Sequence, residues 1–301
     1  MLTLADEPQR KSLAGPTVGA ALDTAMACLR DTGVPEPRAD AEVLLAHVLG
    51  IERAGVIAAA RRPFAAAAAA RLEGLLARRA TREPVAYLTG QREFWSLPIA
   101  VDRRVLIPRP ETELLVEMAC RLAAAARCVL DCGTGSGAVA AALARELPGA
   151  RVWASDHDLG ALAVARANLR RLAPDAGLVC GDWVAPFRAG GLDLIVCNPP
   201  YVAEREFVRL APEVREHEPR QALVAGPDGL DTLRVVVDRA PEALAAGGWL
   251  CVEMGAGQAE TVAGWVRADA RYGRLTVERD IAGIERVLAA EVRGRGTWTR
   301  S

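Results

Sequence analysis

The feature that most constrains the fold is a glycine-rich segment that lies between an apolar run and a helix-forming run. The apolar run ends in Asp131-Cys132-Gly133-Thr134-Gly135-Ser136-Gly137, and residues 138–147 have the composition of a helix. Glycines permit backbone angles that other residues avoid, and they let a ligand reach the main-chain N–H groups at a helix N-terminus. The segment therefore predicts a strand, a ligand-binding turn and a helix. Its glycine spacing also fits the dinucleotide fingerprint G-x-G-x-x-G/A, so a nicotinamide or flavin enzyme is an alternative, as is a turn without a ligand.

Short apolar runs alternate with amphipathic helical windows after Glu111. The strand-like runs are residues 128–130, 151–155, 178–180, 192–197 and 249–252. This alternation is typical of βαβ units and a mostly parallel sheet. The last two runs, residues 275–279 and 285–292, have no long helix between them and predict an antiparallel pair. The sequence therefore predicts an α/β fold whose parallel sheet is completed by an antiparallel strand pair.

The sequence before Glu113 predicts three regions. Residues 1–16 mix charged and small side chains without periodicity and are expected to form a disordered tail. Residues 17–82 have apolar positions at helical spacing, with Gly50 as a helix stop, and predict a small helical domain. Residues 83–112 carry short aromatic and β-branched runs broken by glycine and proline, which predicts a hairpin linker. The α/β domain is then expected to cover residues 113–301.

Acidic side chains follow two of the predicted strands, at the sheet edge where ligands bind in open α/β folds. Asp156 ends the second strand, where such folds place a carboxylate that accepts hydrogen bonds from ribose hydroxyls. A helix N-cap is the alternative role, and Asp158 could cap the same helix equally well. Asp182 and Trp183 follow the third strand and would offer a carboxylate and a flat face to an adenine ring. A tryptophan buried in the core is the alternative for that ring.

Composition argues against a protein that binds nucleic acid through a global basic field. The 301 residues include 37 basic and 38 acidic side chains, and 51% of the residues are hydrophobic. Such a chain can bury a core, but its net charge of -1 gives no general attraction for phosphates. The seven cysteines are scattered, so reduced cysteines and no metal site are expected. The sequence has neither a signal segment nor a membrane-spanning run, which predicts a cytoplasmic protein.

The most informative motif follows the fourth predicted strand and reads Asn198-Pro199-Pro200-Tyr201. Two prolines fix the backbone and remove N–H donors, which leaves rigid carbonyl acceptors. Asn198 supplies an amide donor and acceptor, and Tyr201 supplies a stacking face. Together these groups can hold a planar NH2 group. A rigid turn that contains an ordinary asparagine is the alternative.

With this motif the chain resembles the class I, Rossmann-like S-adenosylmethionine-dependent methyltransferases that act on amino groups, in which Asn-Pro-Pro-Tyr holds the target nitrogen. Within that group it resembles the HemK/PrmC peptide-chain-release-factor glutamine methyltransferases from about residue 17 to residue 292. The matching segments are Arg38–Glu42, Arg82–Gly90, Ile107–Glu113, Glu218–Pro219, Asp228–Leu230, Glu253, Gly255 and Gln258. Pro108–Thr112 favours the release-factor branch, because the related ribosomal-protein glutamine methyltransferases typically carry Pro-Arg-Ser there. The dinucleotide alternative is less favoured once this resemblance is counted.

The resemblance implies methyl transfer from S-adenosylmethionine to the side-chain amide nitrogen of the glutamine in the Gly-Gly-Gln loop of class I release factors. The implied cofactor-binding residues are Asp131, Gly133, Thr134, Gly135, Ser136, Gly137, Asp156, Asp182, Trp183 and Asn198, with Arg109 beside Asp131 at the methionine end. The implied catalytic and substrate-binding residues are Asn198, Pro199, Pro200 and Tyr201. The helical domain and the hairpin are expected to recognise the release factor. The protein is expected to be a monomer.

An amide nitrogen is a poor nucleophile, so the site must orient it toward the methyl group rather than only bring it near. We expect the side-chain oxygen of Asn198 and the carbonyl of Pro199 to accept hydrogen bonds from the target NH2. The asparagine NH2 or a nearby backbone donor would then meet the glutamine carbonyl, and Tyr201 would pack on the amide plane. No strong general base is needed, because the N-methylated amide cation is very acidic.

Three other functions share parts of this pattern. A ribosomal-protein glutamine methyltransferase and a methyltransferase of exocyclic amines on nucleic acid would use the same cofactor residues. The acidic net charge argues against the nucleic-acid substrate, because a flipped base needs phosphate contacts and a stacking pocket. A binding protein that has kept the fold without catalysis is disfavoured by the intact glycine turn and Asn-Pro-Pro-Tyr motif.

Overall fold

The computed structural model describes residues 17–294, which divide into two compact units between Thr89 and Gly90. The tail predicted for residues 1–16 lies outside the described residues, and so do residues 295–301 of the predicted α/β domain. The sequence pattern predicted that the helical region ends at Arg82. The division lies further along the chain. The reason is a further short helix over Val85–Thr89.

The described part of the first unit is helical. Its helices are α1 (Val18–Asp31), α2 (Pro37–Leu49), α3 (Arg53–Ala58), α4 (Ala66–Ala80) and α5 (Val85–Thr89). Thr17 caps α1, because its side chain accepts a hydrogen bond from the backbone N–H of Ala20. Gly50 ends α2 in the left-handed conformation, as its position in the sequence predicted. The apolar faces of these helices pack into a core that includes Leu29 and Leu44.

The second unit begins with an antiparallel hairpin, β1 (Gln91–Phe94) and β2 (Leu97–Ala100). Its two connecting residues have φ angles of 53° and 55°, as a tight type I′ turn requires. The buried side chain of Asn168 bonds both the N–H and the carbonyl of Ala100, and it also donates to the carbonyl of Ser136. This one amide therefore ties the hairpin to the glycine-rich turn.

A seven-stranded sheet forms the core of the second unit. Its strands are β3 (Cys128–Cys132), β4 (Arg151–Asp156), β5 (Gly177–Cys180), β6 (Leu192–Cys197), β7 (Leu244–Glu253), β8 (Tyr272–Arg279) and β9 (Glu285–Val292). They lie in the order β5-β4-β3-β6-β7-β9-β8. The first five strands in this order are parallel, whereas β9 is antiparallel to both β7 and β8.

Helices connect and cover these strands. They are α6 (Glu113–Leu122), α7 (Ala138–Glu146), α8 (Leu159–Leu172), α9 (Glu204–Phe207), α10 (Pro212–His217), α11 (Asp231–Ala243) and α12 (Ala259–Ala268). A 3₁₀ turn at Pro110–Thr112 precedes α6. None of the helices within residues 17–294 is long and apolar enough to cross a membrane.

The predicted α/β fold with its antiparallel strand pair is confirmed. Strand β7 begins at Leu244 rather than at the predicted residue 249. The sequence pattern missed its first residues because Ala246 and Gly247 are exposed and interrupt the apolar run.

The strand order reverses direction between β3 and β6. The chain proceeds from β3 outward to β4 and β5, and then returns to place β6 on the other side of β3. Cys132 at the end of β3 is in register with Ser155 of β4 and with Cys197 of β6. The carboxyl ends of three strands therefore meet at one level, at the switch point where open α/β sheets bind ligands.

Candidate active site

The glycine-rich turn adopts a backbone that requires its glycines. Gly133, Gly135 and Gly137 have φ angles of 73°, 54° and 80°. Side chains at such angles are strained, so each position favours glycine. A Cβ atom on Gly137 would also lie 3.3 Å from the Cα of Ala165 in α8. The backbone N–H groups of Gly133 and Thr134 both donate to the carbonyl of Ser155, which attaches the turn to the end of β4.

Asp131 holds the two ends of this turn together. Its Oδ2 atom accepts hydrogen bonds from the Thr134 hydroxyl at 2.5 Å and from the backbone N–H of Ala140 at 3.0 Å. Ala140 lies in the first turn of α7, where backbone N–H groups have no partner within the helix. Asp131 is almost fully buried, and burial raises the pKa of its carboxyl group to about 7 in spite of these hydrogen bonds.

The acidic residues that follow β4 have separate roles. Asp156 accepts hydrogen bonds from the backbone N–H groups of Gly135 and Asp158, each at 3.0 Å. Asp158 is the N-cap of α8 and accepts from the N–H groups of Gly160 and Ala161. The capping role considered for Asp156 therefore belongs to Asp158, and Asp156 is left beside the glycine turn.

A cavity of about 340 Å³ opens at the carboxyl ends of the strands. Four residues of the glycine turn line it, namely Asp131, Gly133, Thr134 and Ser136. The predicted residues Asp156, Asp182, Trp183 and Arg109 line it as well. Gly135 and Gly137, which are also predicted cofactor-binding residues, do not line it.

Two features of the cavity wall suit a nucleoside ligand. Trp183 lines the wall with a φ of 48°, a conformation that bulky residues rarely adopt and that is often found at ligand sites. Its ring lies 4.0 Å from the point where a Cβ on Gly133 would stand, so the glycine leaves the edge of the ring uncovered. Ser155 also lines the cavity, and its hydroxyl is buried without a hydrogen-bond partner among the described residues.

Asn198 presents one end of its amide group to the cavity. Its Nδ2 atom donates to the Thr112 hydroxyl at 3.0 Å, whereas its Oδ1 atom has no hydrogen bond within the described part of the chain. Pro199 and Pro200 also line the cavity, and no described residue donates to the Pro199 carbonyl. The Asn198 Oδ1 atom and the Pro199 carbonyl are therefore two free hydrogen-bond acceptors, on residues that line the same cavity as the glycine-rich turn.

Tyr201 does not point where the sequence analysis expected. Its side chain is absent from the cavity wall, and its hydroxyl donates to Oε1 of Glu253 at 3.2 Å. Its carbonyl accepts from Nε2 of Gln258 at 3.0 Å. In this arrangement the ring packs against the core of the sheet, so it is not available to cover a substrate amide.

Arg109 is also anchored within the protein. Its guanidinium bonds the buried carboxylate of Glu218 at 2.5 Å, and Glu218 also accepts from the backbone N–H of Ile107 at 3.0 Å. The ion pair fixes the segment before the 3₁₀ turn against the loop that follows α10. Arg109 still lines the cavity, although its charge is neutralised by Glu218.

The sequence analysis identifies Thr112, Glu253 and Gln258 only as residues that match the family, and it predicts no role for them. Glu253 lies at the end of β7 with 1% of its surface exposed, and burial raises the pKa of its carboxyl group to about 7. A usable signal was present in the sequence. Glu253 is an acid at the carboxyl end of an apolar strand, as Asp131 and Asp156 are.

Solved structures resemble this chain at the level of the fold. The hMettl16 catalytic domain in complex with MAT2A 3′UTR hairpin 6 is 17% identical, with a TM-score of 0.54 over 74% of this chain and 84% of that one. The same domain with hairpin 1 is 16% identical, with a TM-score of 0.55 over 79% of this chain and 84% of that one. Together with the family model below, this likeness confirms the Rossmann-like methyltransferase sheet.

Sequence comparisons identify the family. Residues 20–90 match the model of the PrmC N-terminal domain, and residues 110–226 match that of the methyltransferase small domain. A release factor glutamine methyltransferase from Geobacter sulfurreducens is 43% identical over 92% of this chain and 97% of its own length. Another from Bradyrhizobium diazoefficiens is 40% identical over 92% of this chain and 95% of its own length. On the strength of this identity over nearly the full length of both chains, the protein belongs to the HemK/PrmC family of release factor glutamine methyltransferases.

Proposed function

We propose that this protein transfers a methyl group from S-adenosylmethionine to the side-chain amide nitrogen, N5, of the glutamine in the Gly-Gly-Gln motif of class I peptide chain release factors. The observation that carries the proposal is the orientation of Asn198. Its NH2 group is engaged by Thr112, so its oxygen is left free at the cavity beside the free carbonyl of Pro199.

The cavity has the groups that a nucleoside with an amino-acid tail needs. Asp156 would accept hydrogen bonds from ribose hydroxyls, and Asp182 with Trp183 would hold the adenine. Ser155, whose buried hydroxyl has no hydrogen-bond partner within residues 17–294, lines the same cavity. When bound, S-adenosylmethionine supplies an electrophilic methyl group. The glycine turn and Asp131 would hold its methionine end, with Arg109 nearby.

The chain's own contribution to the reaction is orientation. The Asn198 oxygen and the Pro199 carbonyl would each accept a hydrogen from the target NH2 and so turn the nitrogen lone pair toward the methyl group. Positive charge that develops on the nitrogen would then face two oxygen acceptors that are already in place. One Nδ2 hydrogen of Asn198 is engaged by Thr112, so the other is the one left to donate to the glutamine carbonyl.

The helical unit would determine which protein is methylated. Its match to the PrmC N-terminal domain supports a role of residues 17–89 in recognising the release factor. Among the described residues, the hairpin Gln91–Ala100 is held to α8 and the glycine turn through Asn168, so the proposed contact of the hairpin with the release factor would lie close to the cofactor site. The proposal also makes the protein a monomer that acts in the cytoplasm, where its substrate works.

The test is labelled methyl transfer from S-adenosylmethionine to four acceptors. They are a purified class I release factor, the same factor with its Gly-Gly-Gln glutamine replaced by alanine, a mixture of ribosomal proteins, and duplex DNA. We expect label on the intact release factor alone, and mass spectrometry should place a single methyl group on that glutamine. Label on ribosomal protein or on DNA, with none on the release factor, would show that the proposed substrate is wrong.

A further inference from the structure

The buried carboxyl group of Glu253 lies next to the Asn198–Tyr201 motif. Cys197 at the end of β6 is in register with Val252 of β7, so the next residues along the two chains, Asn198 and Glu253, are neighbours at this edge of the sheet. Glu253 is 1% exposed and does not line the cavity. Its Oε2 atom has no hydrogen-bond partner among the residues that the structure describes. Burial of a charge-bearing group is costly unless the group is paired and hydrogen-bonded.

Glu253 contacts the motif at its C-terminal end through Tyr201. The Tyr201 hydroxyl donates to Oε1 at 3.2 Å, and the ring packs on the core of the sheet. The backbone of the same residue is fixed by Gln258, whose Nε2 atom donates to the Tyr201 carbonyl. The last residue of the motif is thus held by both its side chain and its main chain.

At the N-terminal end of the motif, Thr112 is the hydrogen-bond partner of the Asn198 side chain. The Thr112 hydroxyl lowers the pKa of the Glu253 carboxyl group, and Oε2 of that group has no hydrogen-bond partner among the described residues. The oxygen of the same hydroxyl accepts the hydrogen bond from Nδ2 of Asn198. One threonine therefore lies between the carboxyl group and the amide that faces the cavity.

We propose that Glu253 is a positioning residue for the methyl transfer: it holds Tyr201 and Thr112, and these two residues fix the backbone and the amide orientation of Asn198–Tyr201. The inference rests on the proposed function, because it concerns the acceptors that would orient the substrate amide.

The direction of the hydrogen bonds explains why a carboxylate is used. A hydroxyl has a single hydrogen, and an ionised carboxylate can only accept. When Thr112 gives its hydrogen to Glu253, its oxygen can only accept from Asn198. Asn198 must then turn its NH2 toward Thr112 and its Oδ1 toward the cavity. Without the carboxylate, Thr112 could donate instead, and the amide could flip to present the wrong group.

The charges around Glu253 allow it to ionise near neutral pH. Burial raises the pKa of its carboxyl group to about 7, and the charge of Glu111 adds to this. The hydroxyls of Thr112 and Tyr201 and the guanidinium of Arg286 act in the opposite direction and lower it. With a pKa of about 7, about half of the protein molecules hold the acceptor-only carboxylate at pH 7.

The test compares four substitutions with a matched control. They are Tyr201→Phe, Thr112→Val, Glu253→Leu and Glu253→Gln. The control is Tyr272→Phe, which removes a buried phenol hydrogen bond to the Val237 carbonyl elsewhere in the same unit. We expect the first three to lower kcat by about tenfold to a hundredfold while the KM for S-adenosylmethionine changes little. Glu253→Gln keeps an acceptor for Tyr201 and should recover part of the rate, and Tyr272→Phe should keep the wild-type kcat.

A double substitution tests whether the residues act through one another. If Glu253 works through Tyr201, the pair Tyr201→Phe and Glu253→Leu should lose no more rate than the worse single variant. Losses that multiply, or a Tyr201→Phe enzyme with wild-type kcat, would overturn the positioning role.

Amide hydrogen exchange gives a readout that needs no substrate. We expect Tyr201→Phe to speed exchange at residues 201–204 relative to the wild type, and Tyr272→Phe to leave it unchanged. If the wild-type enzyme puts no label on the release factor, the proposed function fails, but this exchange comparison still decides the positioning role. Equal exchange at residues 201–204 in the wild type and Tyr201→Phe would contradict it.

Discussion

Asn198 is held by only one end of its amide group, and this is the property on which its proposed role depends. The free oxygen at the cavity and the engaged nitrogen at Thr112 are set by contacts that do not involve the cofactor residues. We expect Asn198→Ala to lower kcat by about a hundredfold, because one of two aligned acceptors is lost. Cofactor affinity, measured by calorimetry with S-adenosylmethionine, should change far less. Comparable losses in both quantities would contradict the substrate-orienting role.

Trp183 is a second residue whose role is specific to its place. It combines a strained φ of 48° with a ring that lines the cavity, which suits stacking on an adenine. We expect Trp183→Leu to weaken S-adenosylmethionine binding about tenfold, the size of effect that a lost aromatic stacking partner produces. Trp153→Leu is the control, because Trp153 packs edge-on against Phe187 and does not line the cavity. If both variants weaken cofactor binding equally, Trp183 does not act through stacking.

At the scale of secondary structure, the junction of β3, the glycine turn and α7 depends on close packing against α8. Gly137 has a φ of 80°, and an added Cβ would press on Ala165 at 3.3 Å. We expect Gly137→Ala to lower the free energy of unfolding by about 2 kcal/mol or more, from backbone strain and overlap together. Gly149→Ala is the control, since Gly149 has no atom within 4 Å of an added Cβ and no positive φ. Denaturant unfolding would measure the free energy of unfolding of both variants. Equal losses would show that the close approach of Gly137 to α8 does not contribute to stability.

For the whole molecule, buried carboxyl groups predict how stability depends on pH. Glu253 and Asp131 both have a pKa of about 7 in the folded protein, because burial disfavours their charged forms. In the unfolded chain Glu253 loses its proton near its ordinary value of 4.5. Between these values the folded state binds more protons than the unfolded state, so stability falls as pH rises through this window.

We therefore expect the free energy of unfolding of the full chain to fall between pH 4.5 and about 7, by at most roughly 3 kcal/mol from Glu253. Glu253→Gln should make this decline shallower, because the substituted residue does not titrate. Asp102, whose pKa is lowered by Arg104, is ionised across most of the window in both states and adds little slope. Urea unfolding at a series of pH values would measure the slope, and identical slopes for wild type and Glu253→Gln would contradict the prediction.

Local patterns in the sequence were sufficient for most of the fold. The glycines of the turn, the cap at Thr17 and the stop at Gly50 depend on the backbone preferences of a few neighbouring residues. The parallel strands could be recognised because buried strands are continuous apolar runs. The sequence could also predict that the acids at the strand ends, such as Asp156 and Asp182, lie near one another, because the carboxyl ends of parallel strands meet at one edge of a sheet.

Tertiary structure alone decided what stands behind the Asn198–Tyr201 motif. The sequence shows that Tyr201 follows two prolines, but not that β7 pairs with β6 in a register that brings Glu253 beside Asn198. The direction of the Tyr201 ring and the orientation of the Asn198 amide both follow from that long-range pairing. Contacts between residues far apart in the chain depend on how whole strands and helices pack. For this reason the sequence by itself determined which residues are proposed to carry the chemistry, and only the folded sheet decided which of them line the cavity and which contact the others.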